Sequence, residues 1–184
     1  PPRSTLFPYT PPFLSVAYHS EDEYRLQARK PMFHEGQPYE THSVWRDVEC
    51  AFLGTRRIMA LARKTNRPAH ILHVSTAEEL EYLADYRDIS TVEVLVNHLT
   101  QVAPECYEKL GGLAVMNPPL RDRSHWEASW KAVQDGRVDV VSSDHAPHPL
   151  EAKQLPWPKC PAGLTGTQTI VPVMLDHVNA GRLS

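Results

Sequence analysis

Cysteine is scarce. Cys50, Cys106 and Cys160 are the only three in 184 residues, and they lie far apart. That count and spacing exclude a disulfide framework and a CxxC zinc site, and make a reducing cytoplasm the expected setting. Long hydrophobic runs are missing too. No stretch of about 18 apolar residues occurs, so no membrane-spanning helix is expected. Charge of one sign is also lacking. The 19 Lys and Arg against 22 Asp and Glu leave a formal charge of −3, which gives no electrostatic argument for nucleic acid or an acidic membrane surface. The opening PPRSTLFPYTPPF has neither a basic start with an apolar stretch nor a cleavage site. Internal repeats are absent.

What is present is ordinary core-forming material, 41% hydrophobic and 22% charged, in a length that suits one domain or a little more. Two residue types are in surplus. There are ten histidines, and the 17 prolines nearly double the usual share of about 5%. The prolines sit between well-patterned segments, which points to long structured loops.

Residues 1–14 are proline-rich and aperiodic and read as an irregular start, with one domain over 15–184. A short strand over 15–18 ends at His19. Ser20, with Glu23 three residues on, is an N-cap candidate for a following helix. Apolar residues at three-four spacing predict one long helix over 43–64. Strands are expected over 69–74, 90–96 and 138–141, and helices over 77–86, 104–110, 124–134 and 165–180. Between 142 and 161 lies a loop with five prolines, long enough to suggest function. Alternating strands and helices imply a parallel sheet with crossover helices.

In such folds ligand groups gather at the carboxyl ends of strands. All four expected strands end in groups able to bind a metal or move a proton: His19, His73, Asn97-His98 and Asp144-His145. Histidines with one carboxylate are the usual ligands of hydrolytic zinc, which makes hydroxide available at neutral pH. A carboxylate on the metal can take the proton of the attacking water. His19, His73 and Asp144 suit these roles, although each taken singly equally suits a surface residue or a turn cap. Asn117 and Arg121, in MNPPLR, could hold a substrate carrying amide and carboxylate groups, or could form a proline-stiffened turn with a surface arginine. PAGLTG at 161–166 would let backbone approach a ligand closely. Glu93 reads as an interior structural carboxylate, and Trp126 and Trp130 as helix packing. Glu78, Glu79 and Glu81 read as a solvated helix face, and the cysteines as structural.

Six motifs occur in order: HSEDE (19–23), HILHVST (70–76), VEVLVNHLT (92–100), MNPPLR (116–121), SSDHAPH (142–148) and PAGLTGTQT (161–169). Together they resemble the dihydroorotases of the amidohydrolase superfamily, near allantoinases and hydantoinases. The likeness runs from about residue 16 to 184, and MNPPLR with DHAPH favours dihydroorotase over its relatives.

The resemblance implies an α/β fold, a TIM-type (β/α)8 barrel, here only about strands five to eight with their helices. It implies one or two zinc ions and the interconversion of N-carbamoyl-L-aspartate and dihydroorotate in pyrimidine biosynthesis. By motif match, His19 and His73 would be zinc ligands, and Asp144 a ligand and the general acid/base. Asn117 would bind the ring. His148 and the backbone near Ala162 and Gly163 would help hold the substrate. His70 would point elsewhere. Val96-Asn97-His98-Leu99 stands where relatives often show Pro-His-His-Leu.

The family's first-strand His-x-His pair has no counterpart in this sequence. The second metal therefore lacks its ligands, and the chain resembles the second half of a barrel. Half a barrel exposes strand edges, so a homo-oligomer is an expected partner state; the resemblance adds an association with aspartate transcarbamoylase. Little or no activity is expected of the chain alone. Two other readings compete: an allantoinase- or hydantoinase-type enzyme, and a catalytically inactive dihydroorotase-like partner. Nucleic acid and membrane are not expected partners; a small-molecule substrate is.

Overall fold

Short runs of β-branched and apolar residues build the sheet. A computed structural model describes residues 16–183; the proline-rich stretch 1–14 and the expected strand start at residue 15 lie outside the described residues. The four strands are β1 (Val16–Tyr18), β2 (Ala69–Ile71), β3 (Ser90–Leu95) and β4 (Val140–Ser142), all parallel and ordered β1-β2-β3-β4. Spatial order follows chain order with no reversal. That is the winding of an arc of barrel, whereas a doubly wound sheet reverses at a switch point. Register pairs Tyr18 with Ile71, Ile71 with Val92 and Leu95 with Ser142, so the residues after the strands face a common end.

The helices follow their caps. Helix α1 (Glu23–Arg29) is capped by Asp22, whose side chain accepts from the Arg25 amide at 2.8 Å. Ser20 does not serve as the expected cap; its hydroxyl bonds Thr55 instead, at 2.8 Å. The single helix expected over 43–64 is two, α2 (Thr41–Trp45) and α3 (Val48–Thr65). Asp47 is extended there and caps α3 by accepting from the Cys50 amide at 3.0 Å. In α3 a Cβ at Gly54 would stand 2.4 Å from the Ser20 carbonyl oxygen, so only glycine lets this helix lie against the backbone that follows His19.

Helix α4 (Ala77–Ala84) is capped by Thr76. Its Glu79 is buried and corrects the expected solvated face. The carboxylate receives the hydroxyls of Thr55 (2.6 Å) and Thr76 (2.8 Å), and burial pushes its pKa up. Thr76 and Glu79 form a reciprocal cap that the T-x-x-E spacing allows. Strand β3 runs straight into α5 (Val96–Thr100), where more strand and then a loop were expected. Helix α6 (Glu105–Leu110) precedes a 3-10 turn at Gly111–Ala114. In α7 (Arg123–Gln134) both Trp126 and Trp130 donate their indole N–H to the Leu99 carbonyl. The long loop contains α8 (Leu150–Lys153). The last helix, α9 (Ile170–Asn179), starts five residues later than expected, because the Gly166 and Thr167 amides turn toward His145 Nδ1.

Two apolar clusters hold this together. One packs Met59, Ile71, Leu83, Val92, Val94 and Trp130 between sheet and helices. The other gathers Leu95, Val115, Met116, Leu120 and Trp157 beyond the strand ends, and so anchors the MNPPLR and 142–161 segments over the sheet. The three cysteines are free and buried. Among the described residues no helix is long and apolar enough to cross a membrane.

Candidate functional site

Adjacent parallel strands β1 and β2 deliver His19 and His73 to one point. His19 Nδ1 lies 2.8 Å from His73 Nε2. On its far side His19 Nε2 is 3.0 Å from Glu21 Oε2, and Arg46 grips the same carboxylate at 2.5 Å. Burial alone would raise the Glu21 carboxyl, but the hydrogen bonds from His19 and Arg46 outweigh it and hold the pKa at about 2. An ionised carboxylate only accepts, so it places the His19 proton on Nε2 and leaves Nδ1 its lone pair whenever the ring is neutral. His73 is buried. Burial, then the neighbouring His19 and His98, push its pKa down to about 3, which keeps the ring neutral at physiological pH.

A cavity of about 490 Å³ opens beside this pair, lined by His19, His73, Glu93, Asn117, Asp144, Ala162 and Gly163 among others. Six of the seven expected site residues therefore share one space. Three non-glycine residues among those described have a left-handed backbone. One, Asn66, ends α3; the other two are His73 (φ 39°) and Asp144 (φ 42°). Such backbone is costly for these residues and is found where surrounding structure imposes it. Burial, then the Glu93 charge, push the Asp144 carboxyl up. The expected trio does not close. Among the described residues, no group of three or more His, Cys, Asp or Glu side chains is assembled to hold a metal ion. Asp144 follows β4, one of the two edge strands among those described, and the residue is only partly covered along the cavity wall.

The other wall is backbone. Gly163 has φ +152°, and a Cβ there would stand 2.5 Å from the Ala146 carbonyl oxygen, so this stretch fits only as glycine. The buried Lys153 ammonium fastens it, donating to the carbonyls of Val115 (2.8 Å), Pro161 (2.8 Å) and Gly163 (2.9 Å). His148 lines a neighbouring cavity and bonds the Ala162 carbonyl through Nε2 at 3.2 Å. It touches the loop rather than the space in front of His19 and His73.

Curated dihydroorotases match this chain. The protein from Methanosarcina acetivorans is 32% identical over 169 residues, covering 87% of this chain and 36% of that protein. The one from Halobacterium salinarum is 30% identical, covering 92% and 39%. The one from Pyrococcus furiosus is 39% identical over 129 residues, covering 70% and 29%. The chain thus spans little more than a third of the length of the first two. This is a partial, dihydroorotase-like amidohydrolase chain.

Solved structures agree on the fold of this dihydroorotase-like chain. An L-hydantoinase (dihydropyrimidinase) from Arthrobacter aurescens superposes with a TM-score of 0.83 at 26% identity, over 92% of this chain and 40% of its own. A dihydroorotase from Campylobacter jejuni gives 0.68 at 17% identity, over 92% and 42%, which speaks to fold alone. The four-stranded arc is accordingly a partial TIM-type barrel. No protein-family model matches the chain.

Several residues of this dihydroorotase-like chain behave differently from their sequence reading. Arg121 does not reach the cavity beside Asn117. It is buried and donates to the Arg46 carbonyl at 2.6 Å, tying MNPPLR to the turn before α3. His98 is buried against the Pro118 carbonyl at 3.1 Å, and Asn97 lines the neighbouring cavity. His70, by contrast, points away from the pair as expected, toward Thr91 at 2.7 Å. Two participants were missed: Glu21, whose His-x-Glu spacing to His19 was a usable signal, and Lys153, which no spacing marks; Glu93 faces the interior as expected, on the cavity wall, and accepts the His73 backbone N–H at 3.2 Å.

The donor set fits a zinc ion at the histidine pair. Two imidazole nitrogens converge, His19 Nδ1 and His73 Nε2, and a carboxylate fixes the proton of one ring.

Proposed function

We propose that this chain carries part of the active site of a zinc-dependent cyclic amidohydrolase, a dihydroorotase that interconverts N-carbamoyl-L-aspartate and (S)-dihydroorotate. The observation that supports it is the cavity shared by His19, His73, Asp144, Asn117 and the Ala162–Gly163 backbone, in a chain related to curated dihydroorotases.

A zinc ion bound there would supply a water molecule acidic enough to attack at neutral pH. His19 and His73 would hold it through Nδ1 and Nε2, the nitrogens that converge. Asp144 would take the proton of the attacking water and return it to the ring nitrogen as the amide bond opens; its raised pKa suits a group that must hold a proton and release it. Asn117 and the Ala162–Gly163 backbone would orient the ring. The sequence holds no His-x-His pair, so a second metal would find no such ligands in this chain.

Likeness to a hydantoinase structure keeps a hydantoinase- or allantoinase-type substrate as the second reading. Binding to the zinc-loaded chain separates them. Dihydroorotate is expected to shift the resonances of residues lining the cavity at lower concentration than hydantoin or allantoin. A preference for either of the latter would overturn the substrate assignment. Failure to bind zinc or any of the three would favour the inactive-partner reading.

A further inference from the structure

Trp157, His42 and Asn117 form a line of hydrogen bonds that ends at the cavity. His42 is buried in α2. Its Nδ1 receives the Trp157 indole N–H at 3.3 Å. Its Nε2 lies 2.9 Å from the Met116 carbonyl oxygen and 3.0 Å from Asn117 Oδ1. An indole N–H only donates and a carbonyl only accepts. These two neighbours leave the His42 ring one arrangement, with the lone pair on Nδ1 and the proton on Nε2. An N–H at Nε2 has no lone pair for an amide N–H. Asn117 must therefore turn its oxygen to His42 and its NH2 away.

An asparagine amide is two-faced and can flip to suit a donor or an acceptor. With its oxygen engaged by His42, Asn117 loses that freedom, and it lines the cavity beside His73 and Asp144. We propose that His42 is a positioning residue that aims the Asn117 NH2 into the cavity, so that the site takes an acceptor oxygen of the ligand there, a ring or ureido carbonyl, and disfavours an N–H in its place. The ligand preference rests on the cyclic-amide reading; the arrangement of the three side chains does not. The ring is suited to the role because burial, then the charge of Arg46, bring its pKa down to about 4, so it stays neutral at pH 7. Trp157 belongs to the 142–161 loop, so that loop takes part in setting the polarity of a residue 40 positions earlier, Asn117.

The test uses the full 184-residue chain, 15N-labelled. Long-range 1H–15N spectra of the imidazoles without ligand should show His42 neutral and protonated at Nε2 at pH 7. Protonation at Nδ1, or an imidazolium, overturns the proposal. Dihydroorotate is then titrated while the Asn117 side-chain NH2 signal is followed. H42Q keeps an N–H donor at similar reach and should bind within about threefold of the parent chain. H42L fills the space without a donor and should bind about tenfold more weakly. A folded H42L that binds like the parent chain overturns the proposal. If the parent chain shows the expected His42 proton but does not bind dihydroorotate, the positioning role stands and the cyclic-amide reading fails. Should H42L not fold, the ligand-free spectrum of the parent chain decides alone.

Discussion

His19 Nδ1 meets His73 Nε2 at 2.8 Å, with the two rings nearly edge-on at 74°. Two nitrogens bound to one tetrahedral zinc stand about 3.3 Å apart, so the rings need to part by only about half an ångström. The chain is expected to take up about one zinc ion, measured by equilibrium dialysis and elemental analysis. H19A or H73A should weaken uptake by at least about tenfold, since each removes one of few ligands. Undiminished zinc in H73A would contradict the assignment.

Glu21 is the support of that pair. Its buried carboxylate sits between His19 and Arg46. E21Q replaces an acceptor-only group with one that can also donate, and the His19 proton is no longer placed. Zinc affinity is expected to fall about 10- to 100-fold with the ligands themselves intact. Competition against a chromophoric chelator reads this directly, and an unchanged constant would remove Glu21 from the site.

Lys153 donates to three backbone carbonyls from a buried position. K153M keeps most of the volume and leaves those carbonyls without a donor. A loss of about 3 kcal/mol is expected in urea unfolding. Amide hydrogen exchange should quicken around Ala162 and Gly163 before it does in β3. Uniform exchange throughout would show that Lys153 stabilises the whole fold and not this loop in particular.

Two buried histidines, His42 and His98, add to His73 in setting the acid limit. Burial, then Arg46, lower the pKa of His42 to about 4; burial, offset in part by the Pro118 carbonyl, lowers that of His98 to about 4. Both lie below the unfolded value of about 6.5, so the unfolded chain takes up protons first as the pH falls. Their contribution is whole above pH 6.5 and is lost on the way to pH 4. The urea midpoint is expected to drop across that window, by a few kcal/mol in free energy. A flat profile from pH 6.5 to 4 would mean that none of the three rings is held neutral; a drop that H42Q and H98Q leave unchanged would trace to His73 alone.

Much of the site was legible because chemistry and position coincide. A histidine or aspartate directly after a β-branched run lands at the carboxyl end of a parallel strand, where His19, His73 and Asp144 do lie. Side-chain direction was not legible. Arg121 and Asn117 are four residues apart in one motif, yet one is buried against Arg46 and the other lines the cavity. Glu79 looked like its neighbours Glu78 and Glu81 until Thr55, from another helix, came to cover it. The break at Asp47 was hidden because apolar spacing runs on through it, while the cap is one side chain accepting from one amide.

The sequence by itself determined the alternation of strand and helix, the parallel sheet that follows from it, and the family likeness carried by six short motifs. Those are local properties: each depends on spacing and residue type within a few turns. Tertiary structure decided which groups meet. Glu21 finding Arg46, Lys153 finding three carbonyls, and Trp157 reaching His42 across 115 positions join segments that share no local pattern. A hydrogen bond acts over about 3 Å and depends on direction, so only the packed fold can say whether its donor and acceptor coincide.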